Sequence, residues 1–178
     1  LLSERAEFAR AAVEAGFVFN GPTAEVMDAM GRKDRARTIA ERAGVPVQPQ
    51  FDPTAVPADA YPVLVKAAAG GGGKGMRIVH RASELTAAID AARREAAAAF
   101  GDDTLLIEKY VEGGRHVEVQ VFGDNAGHVV HLFERDCSVQ RRHQKVVEEA
   151  PAHGLTDQLR QTLHDSSVAL CREVGYTG

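Results

Sequence analysis

Apolar residues recur at helical spacing through the first quarter of the chain. Ala6, Ala9, Ala12 and Val13 share one side of a segment that Ser3 can cap and Gly16 can stop. The apolar run Phe17, Val18 and Phe19 then reads as a strand. Gly21, Pro22 and Thr23 open a second helix through Val26, Met27 and Met30, and Ala36, Ile39, Ala40 and Ala43 predict a third from Lys33 to Ala43, closed by Gly44. Five of the seven prolines fall at positions 46, 49, 53, 57 and 62, so an irregular, partly extended linker follows and a domain boundary is placed near residue 46.

Beyond the linker the period changes from helical to alternating. Val63, Leu64 and Val65 make a strand, a glycine loop follows, and Met76 to Val79 make a second strand. An alanine-rich helix runs from Ala82 to Ala99, with Arg81 or Ser83 at its start, and Leu105, Leu106 and Ile107 form the next strand. From His116 to Phe122 the chain alternates, with Val117, Val119 and Val121 on one side and His116, Glu118 and Gln120 on the other. Residues 123–127 carry hairpin-turn chemistry, Val129 to Phe133 returns as a strand, and Leu155, Leu159, Leu163, Leu170 and Val174 mark a last helix stopped at Gly175. The expected class is therefore α+β (α/β). Its segments are residues 1–46, a small subdomain at 47–112 and a further portion at 113–178.

Composition narrows the function classes without choosing one. In 178 residues, 44% are apolar and 26% charged, so the chain should fold. A net charge of −4 gives no overall field that favours a nucleic-acid backbone, and no apolar run is long enough to span a bilayer. Two cysteines 34 positions apart, Cys137 and Cys171, fit a reducing, cytoplasmic setting better than a disulfide framework or a thiolate zinc site. A first residue other than Met, and a last helix that ends just before Gly178, suggest a piece of something longer.

The densest local signal is residues 70–75, five glycines around Lys74. Such a loop exposes backbone N–H groups and admits phosphate oxygens without obstruction by Cβ atoms. A strand rather than a helix follows it, which removes the dinucleotide-binding reading, and Gly75 stands where a Walker loop needs Ser or Thr. A protein-kinase reading fails because Lys66 precedes the loop. A flexible linker is the alternative. Lys66 ends the strand entering the loop and can reach the same anion. Arg32, Lys33, Arg35 and Arg37 crowd the first turns of a helix, where the macrodipole disfavours cations unless an anion is present. That placement suggests a second phosphate contact, with a solvated basic face as its alternative. In Glu108 to Val111 the Lys109 C=O and the Val111 N–H share one edge of extended chain, a spacing that suits adenine, although an ordinary core strand reads equally well.

Residues 134–145 are too polar for a buried apolar strand, and perfect alternation would split them between two faces, so convergence on one ligand requires a bulge or turn. His143 and Lys145 are expected to face inward. His128 and His131 lie three apart on a strand and point to opposite faces, so no metal site is assigned, and Cys137 reads as a packed thiol.

Taken together, Tyr61 to Lys66, the loop with Lys74 to Arg77, Glu108 to Tyr110 with Arg115 to Glu118, and Glu134 to Ser138 running through Gln140 to Pro151 resemble the biotin carboxylase component of biotin-dependent carboxylases, an ATP-grasp family. The likeness spans essentially the whole chain. It implies a partial ATP-grasp fold: the end of the N-terminal domain, the glycine-rich lid, and the start of the C-terminal ATP-grasp subdomain. It further implies that Lys33 and Lys66 hold ATP phosphates, and that Gly72 and Gly73 belong to a closing flap. Glu108, Lys109, Tyr110 and Val111 would take adenine, and His116 with His143 would bind nucleotide. Catalytic roles would fall to Lys145, which meets bicarbonate, and to His143 and Gln140, the last near ribose and bicarbonate.

The implied activity is that of a ligase in which bicarbonate attacks the γ-phosphoryl of magnesium ATP and the resulting carboxyphosphate supplies carbon dioxide to N1′ of biotin. The implied partners are a biotin carboxyl carrier domain, since no biotinylation motif is present, a carboxyltransferase component, and a second copy of the full-length domain in a homodimer. Magnesium ligands are expected outside this chain, and the isolated chain is expected to be inactive. The alternatives are a non-catalytic ATP-binding module and another ATP-grasp ligase that forms an acylphosphate.

Overall fold

The computed structural model describes residues 2, 5–69, 75–142 and 144–178. Two three-stranded antiparallel sheets form, each with a helix against one face, and three helices precede them.

The opening helices are α1 (Ala6–Glu14), α2 (Ala24–Gly31) and α3 (Lys33–Arg42). Thr23 caps α2, its hydroxyl accepting from the Val26 N–H at 3.3 Å. The cap of α1 is Arg5, whose side chain makes no capping bond; Ser3 lies outside the described residues. Residues 17–19 are not a strand. They find no ladder partner among the described residues, and Val18 is 90% exposed. A strand is defined by its neighbour, which an apolar run cannot supply for itself.

The first sheet orders as β2 (Arg77–Val79), β1 (Val63–Ala67), β3 (Leu105–Lys109), with α4 (Ala82–Phe100) packed on it. Val63, Val65 and Ala67 point into the core with Val79 and Ile107, meeting Leu85, Ile89 and Ala92 of α4. Period two on the strand and the one-in-four rhythm on the helix leave Lys66 on the face opposite the helix. Gly101, at φ 70°, ends α4 in the left-handed region.

The second sheet orders as β4 (Val117–Gly123), β5 (Val129–Arg141), β6 (Gln144–Glu149), and α5 (Asp157–Glu173) covers one face. The polar stretch forms exposed strands rather than a buried apolar one. β5 runs eight residues past the expected Phe133, and β6, which the sequence pattern did not suggest, puts Lys145 on a different strand from Gln140. Polar side chains are tolerated because much of β5 and all of β6 is exposed rather than buried.

Two departures from perfect pairing shape this sheet. Val119 and Val121 of β4 face Glu134 and His131 of β5, so three steps on β5 span two on β4. The extra residue is a bulge, with Phe133 at φ 62°. It turns both His131 and Glu134 toward α5, where perfect alternation would have separated them. Further register shifts between β5 and β6 bracket residues 136–140. At the end of β4, Gly123 and Gly178 exchange backbone hydrogen bonds of 3.1 and 3.0 Å. A Cβ on Gly123 would sit 2.2 Å from the Tyr176 carbonyl oxygen, so only glycine fits. Among the described residues no helix is long and apolar enough to cross a membrane.

Candidate functional site

The root of the glycine loop is tied to the start of α3: the Lys33 N–H donates to the Ala68 C=O at 3.0 Å. That bond draws Lys33 and Lys66 into one neighbourhood. Burial lowers the Lys33 pKa, and the Lys66 charge lowers it further. Two ammonium groups and a helix N-terminus, converging at the mouth of a glycine loop, make a site for a polyanion. Glu108 offsets part of this charge; its carboxylate lies 2.6 Å from Lys66 Nζ and 3.9 Å from Arg37 Nη1.

Arg32 and Arg37 of the basic run make their nearest contacts with other groups of the chain. Arg32 pairs with Asp34 at 2.9 Å and with Asp102 at 2.6 Å, and Arg37 reaches Glu41 at 3.1 Å and the Gln48 C=O at 2.5 Å. Carboxylates within the chain therefore answer Arg32 and Arg37, two of the three arginines in the run of positive residues. Lys33 is the member of that run that faces Lys66.

Glu108 to Val111 leave the first sheet beside this cluster. The Lys109 ammonium bonds the carbonyls of Ala60 at 2.8 Å and Tyr61 at 3.2 Å, so its side chain anchors the linker rather than reaching a ligand. The Tyr110 N–H donates to the Pro62 C=O at 3.1 Å. Val111 is 49% exposed.

A second polar cluster sits on β4, β5 and β6, and Glu118, a residue missed from sequence as a site member, is its hub. The Glu118 carboxylate accepts from Lys145 Nζ, from Arg135 Nη2 at 3.0 Å, and lies 3.2 Å from His116 Nε2. The Lys145 bond, followed by that of Arg135, holds its pKa at about 2, and Glu118 in return raises that of Lys145. Lys145 is thus held as an oriented cation. Gln140 Nε2 lies 2.6 Å from His116 Nδ1 and donates to the Cys137 C=O at 2.8 Å, bringing Gln140, His116 and Lys145 into one network. The signal for Glu118 was available in the alternation of β4, which set it beside His116 on the polar side.

Cys137 is fully buried, and burial, then the Glu148 carboxylate, push its thiol up, so it stays protonated and packs. His128 pairs with Asp124 at 2.7 Å, while His131 stacks on His164 at 3.9 Å. Gly72, Gly73, Lys74 and His143 lie outside the described residues.

Asp136 is bonded by Ser138 and by Arg115 at 2.6 Å, and Asp102 by Thr104 and Arg32; each is lowered to about 2, as Glu118 is. Because the folded values lie below the unfolded ones, these pairs stabilise fully above the ordinary carboxylate range of about 4. Their contribution is lost as pH falls through about 2. Melting temperature is expected to change little between pH 7 and 5 on their account and to drop steeply below about pH 4. A melting curve unchanged at pH 2.5 would contradict these pairings.

The fold is that of an ATP-grasp protein of the biotin carboxylase type. Residues 32–178 match the family described as carbamoyl-phosphate synthase L chain, ATP binding domain, and the chain belongs to that family. It is 48% identical, over 99% of its length, to the methylcrotonoyl-CoA carboxylase subunit alpha of Dictyostelium discoideum, covering 27% of that protein. Identity to the pyruvate carboxylase of Schizosaccharomyces pombe is 50% over 98% of the chain and 16% of the relative. A biotin carboxylase crystal structure from Campylobacter jejuni, a complex with β,γ-ATP by its description, superposes with a TM-score of 0.95 at 44% identity, over 99% of this chain and 42% of that one. The chain thus spans well under half the length of each.

Proposed function

We propose that this chain forms the nucleotide-binding portion of a biotin carboxylase, which uses ATP and bicarbonate to carboxylate biotin on a carrier protein. The observation that carries the reading is that one chain holds two cationic sites: Lys33 with Lys66 where the chain enters the glycine loop, and Lys145 held as a cation by Glu118.

In this reading Lys33 and Lys66 neutralise the phosphate chain, and the Lys109 to Val111 backbone takes the base. His116 and Gln140, joined to Lys145 in one polar network through Glu118, take the ribose and bicarbonate side of the nucleotide. Bicarbonate attacks the γ-phosphoryl group, and a fixed cation at Lys145 stabilises the anion and the charge that spreads over the transferring group. ADP leaves, the carboxyphosphate so formed breaks its C–O bond to give carbon dioxide and phosphate, and N1′ of biotin takes the carbon dioxide while its proton passes to the phosphate. Magnesium, which ATP brings, finds no suitable nest in Glu118, Cys137 and Glu148. Their ligand atoms lie within 4.8 Å of one another, but the Lys145 ammonium already sits against both carboxylates and the third donor is a thiol. Its ligands belong elsewhere in the intact protein. A carrier domain, a carboxyltransferase and a second carboxylase copy complete the proposed assembly.

The test is ATP cleavage by the intact protein with bicarbonate and free biotin. Cleavage should require bicarbonate and rise with biotin. Lys145→Ala should lower it by about a hundredfold or more, the scale for losing one preorganised charge stabiliser, with ATP affinity little changed. Cleavage that instead required ammonia and yielded carbamoyl phosphate would favour the second reading that the family description admits, a carbamoyl-phosphate ligase. ATP binding without cleavage would leave a binding module.

A further inference from the structure

The linker segment that ends at Phe51 lies along the outer edge of β3. The Lys109 N–H donates to the Pro49 C=O at 3.0 Å and the Phe51 N–H to the Ile107 C=O at 2.9 Å, and these two bonds enclose the antiparallel Gln50–Glu108 bridge. In such a ladder the residues flanking a bridge of this type face each other as hydrogen-bonding pairs, each pair able to exchange two bonds. Lys109 and Pro49 are one of these pairs. One bond forms. The other needs an N–H at position 49, and proline has none.

The opposite neighbour cannot use this carbonyl either. On the β1 side Lys109 faces Val63, and the bond there runs from the Tyr110 N–H to the Pro62 C=O at 3.1 Å. In an antiparallel ladder the C=O and N–H of one residue point to the same side. The Lys109 C=O therefore points, with its N–H, toward Pro49, and meets no backbone donor among the described residues. Its side-chain ammonium is held by the carbonyls of Ala60 and Tyr61. An acceptor at the end of β3 thus faces a neighbouring residue that has no N–H to give.

We infer that Pro49 is a positioning residue for nucleotide specificity: by withholding an N–H it keeps the Lys109 carbonyl available to a purine that carries an amino group at position six. The inference rests on the nucleotide reading given above. A 6-amino purine donates to this carbonyl. A 6-oxo purine would set oxygen against oxygen, and a purine with hydrogen at that position offers nothing. Any other residue at 49 supplies an internal donor, which competes with the base for the same lone pair.

The experiment compares the intact wild-type protein with Pro49→Ala and Pro49→Gly, measuring calorimetric affinity for ATP and for purine riboside triphosphate, which lacks the 6-amino group. Wild type should prefer ATP by about tenfold, the scale of one hydrogen bond, and both variants should lose most of that preference while binding the deaminated analogue as wild type does. The amide at position 49 in the variants should exchange slowly with solvent deuterium in the free protein and faster with ATP bound. In the wild type, the Lys109 carbonyl 13C resonance should move when ATP binds and stay when the analogue binds, a readout that needs no variant to fold. A preserved ATP preference in both variants, a rapidly exchanging amide at 49, or a Lys109 carbonyl that responds equally to both nucleotides would overturn the role of Pro49 and leave ATP binding intact. Absence of any ATP affinity in the wild type would overturn the nucleotide reading and this inference with it.

Discussion

Replacing Glu134 with alanine is expected to cost about 3–5 kcal/mol of stability, the range for breaking a buried charge pair by removing one partner. Glu134 is 1% exposed on β5, and its carboxylate accepts from Arg160 Nη1 and, at 2.6 Å, faces His164 Nε2, both on α5. Burial pushes this carboxyl up, and the His164 bond with the Arg160 charge outweighs it, leaving the pKa below its usual value. Alanine would leave a guanidinium and a buried imidazole facing an apolar gap.

At roughly 2–4 °C per kcal/mol for a domain of this size, the melting temperature should fall by about 10 °C. Glu134→Gln, which keeps the shape and can still donate or accept, should lose less. Neither variant touches the candidate site, so kcat at a temperature where the protein stays folded should remain near wild type. A loss below about 1 kcal/mol would mean that α5 is held to the sheet by packing alone.

Lys66→Ala is expected to weaken ATP binding by roughly tenfold to a hundredfold, as for one lost charged hydrogen bond of about 1.5–3 kcal/mol. A second consequence separates a local charge effect from a folding defect. The Lys66 charge is one of the two causes that depress the Lys33 pKa, and its removal relieves that part. Lys33 should therefore titrate higher in the variant, which lysine-resolved NMR can follow. Lys66→Arg keeps the charge and the Glu108 partner and should retain more affinity than alanine. Calorimetry with unchanged ATP affinity in Lys66→Ala would remove this lysine from the site.

Much of the first sheet was legible before any coordinates. The alternation of Val63 and Val65, the helical rhythm of Leu85, Ile89, Ala92 and Ala96, and the glycine stops all follow from local rules, and each element forms where the pattern put it. Lys66 was legible for the same reason, since period two sends it to the face away from α4. The second sheet was less so. Residues 134–145 read as a surface edge or a site lining because they lack an apolar face, and they pair as strands whose exposed sides tolerate charge, in a register the sequence does not give. The basic run on α3 misled in the other direction: positive residues in sequence do not reveal that Asp102, far along the chain, and Glu41 answer Arg32 and Arg37.

What the order of residues alone determined is most of the elements and the chemistry each one carries: strand, glycine loop and lysine, a histidine, a carboxylate and an amide on one side of residues 116–122, and the family those motifs mark. These depend on neighbours within a few positions, where steric and hydrophobic rules act directly. Only the tertiary structure decided which of those groups meet. The extra residue at Phe133 turns His131 and Glu134 to one helix. Glu118 becomes the hub for Lys145 through pairing of β4, β5 and β6, and Pro49 comes to lie opposite Lys109, 60 positions away. Register between distant strands follows from the sum of many weak contacts, and no single stretch of residues contains it.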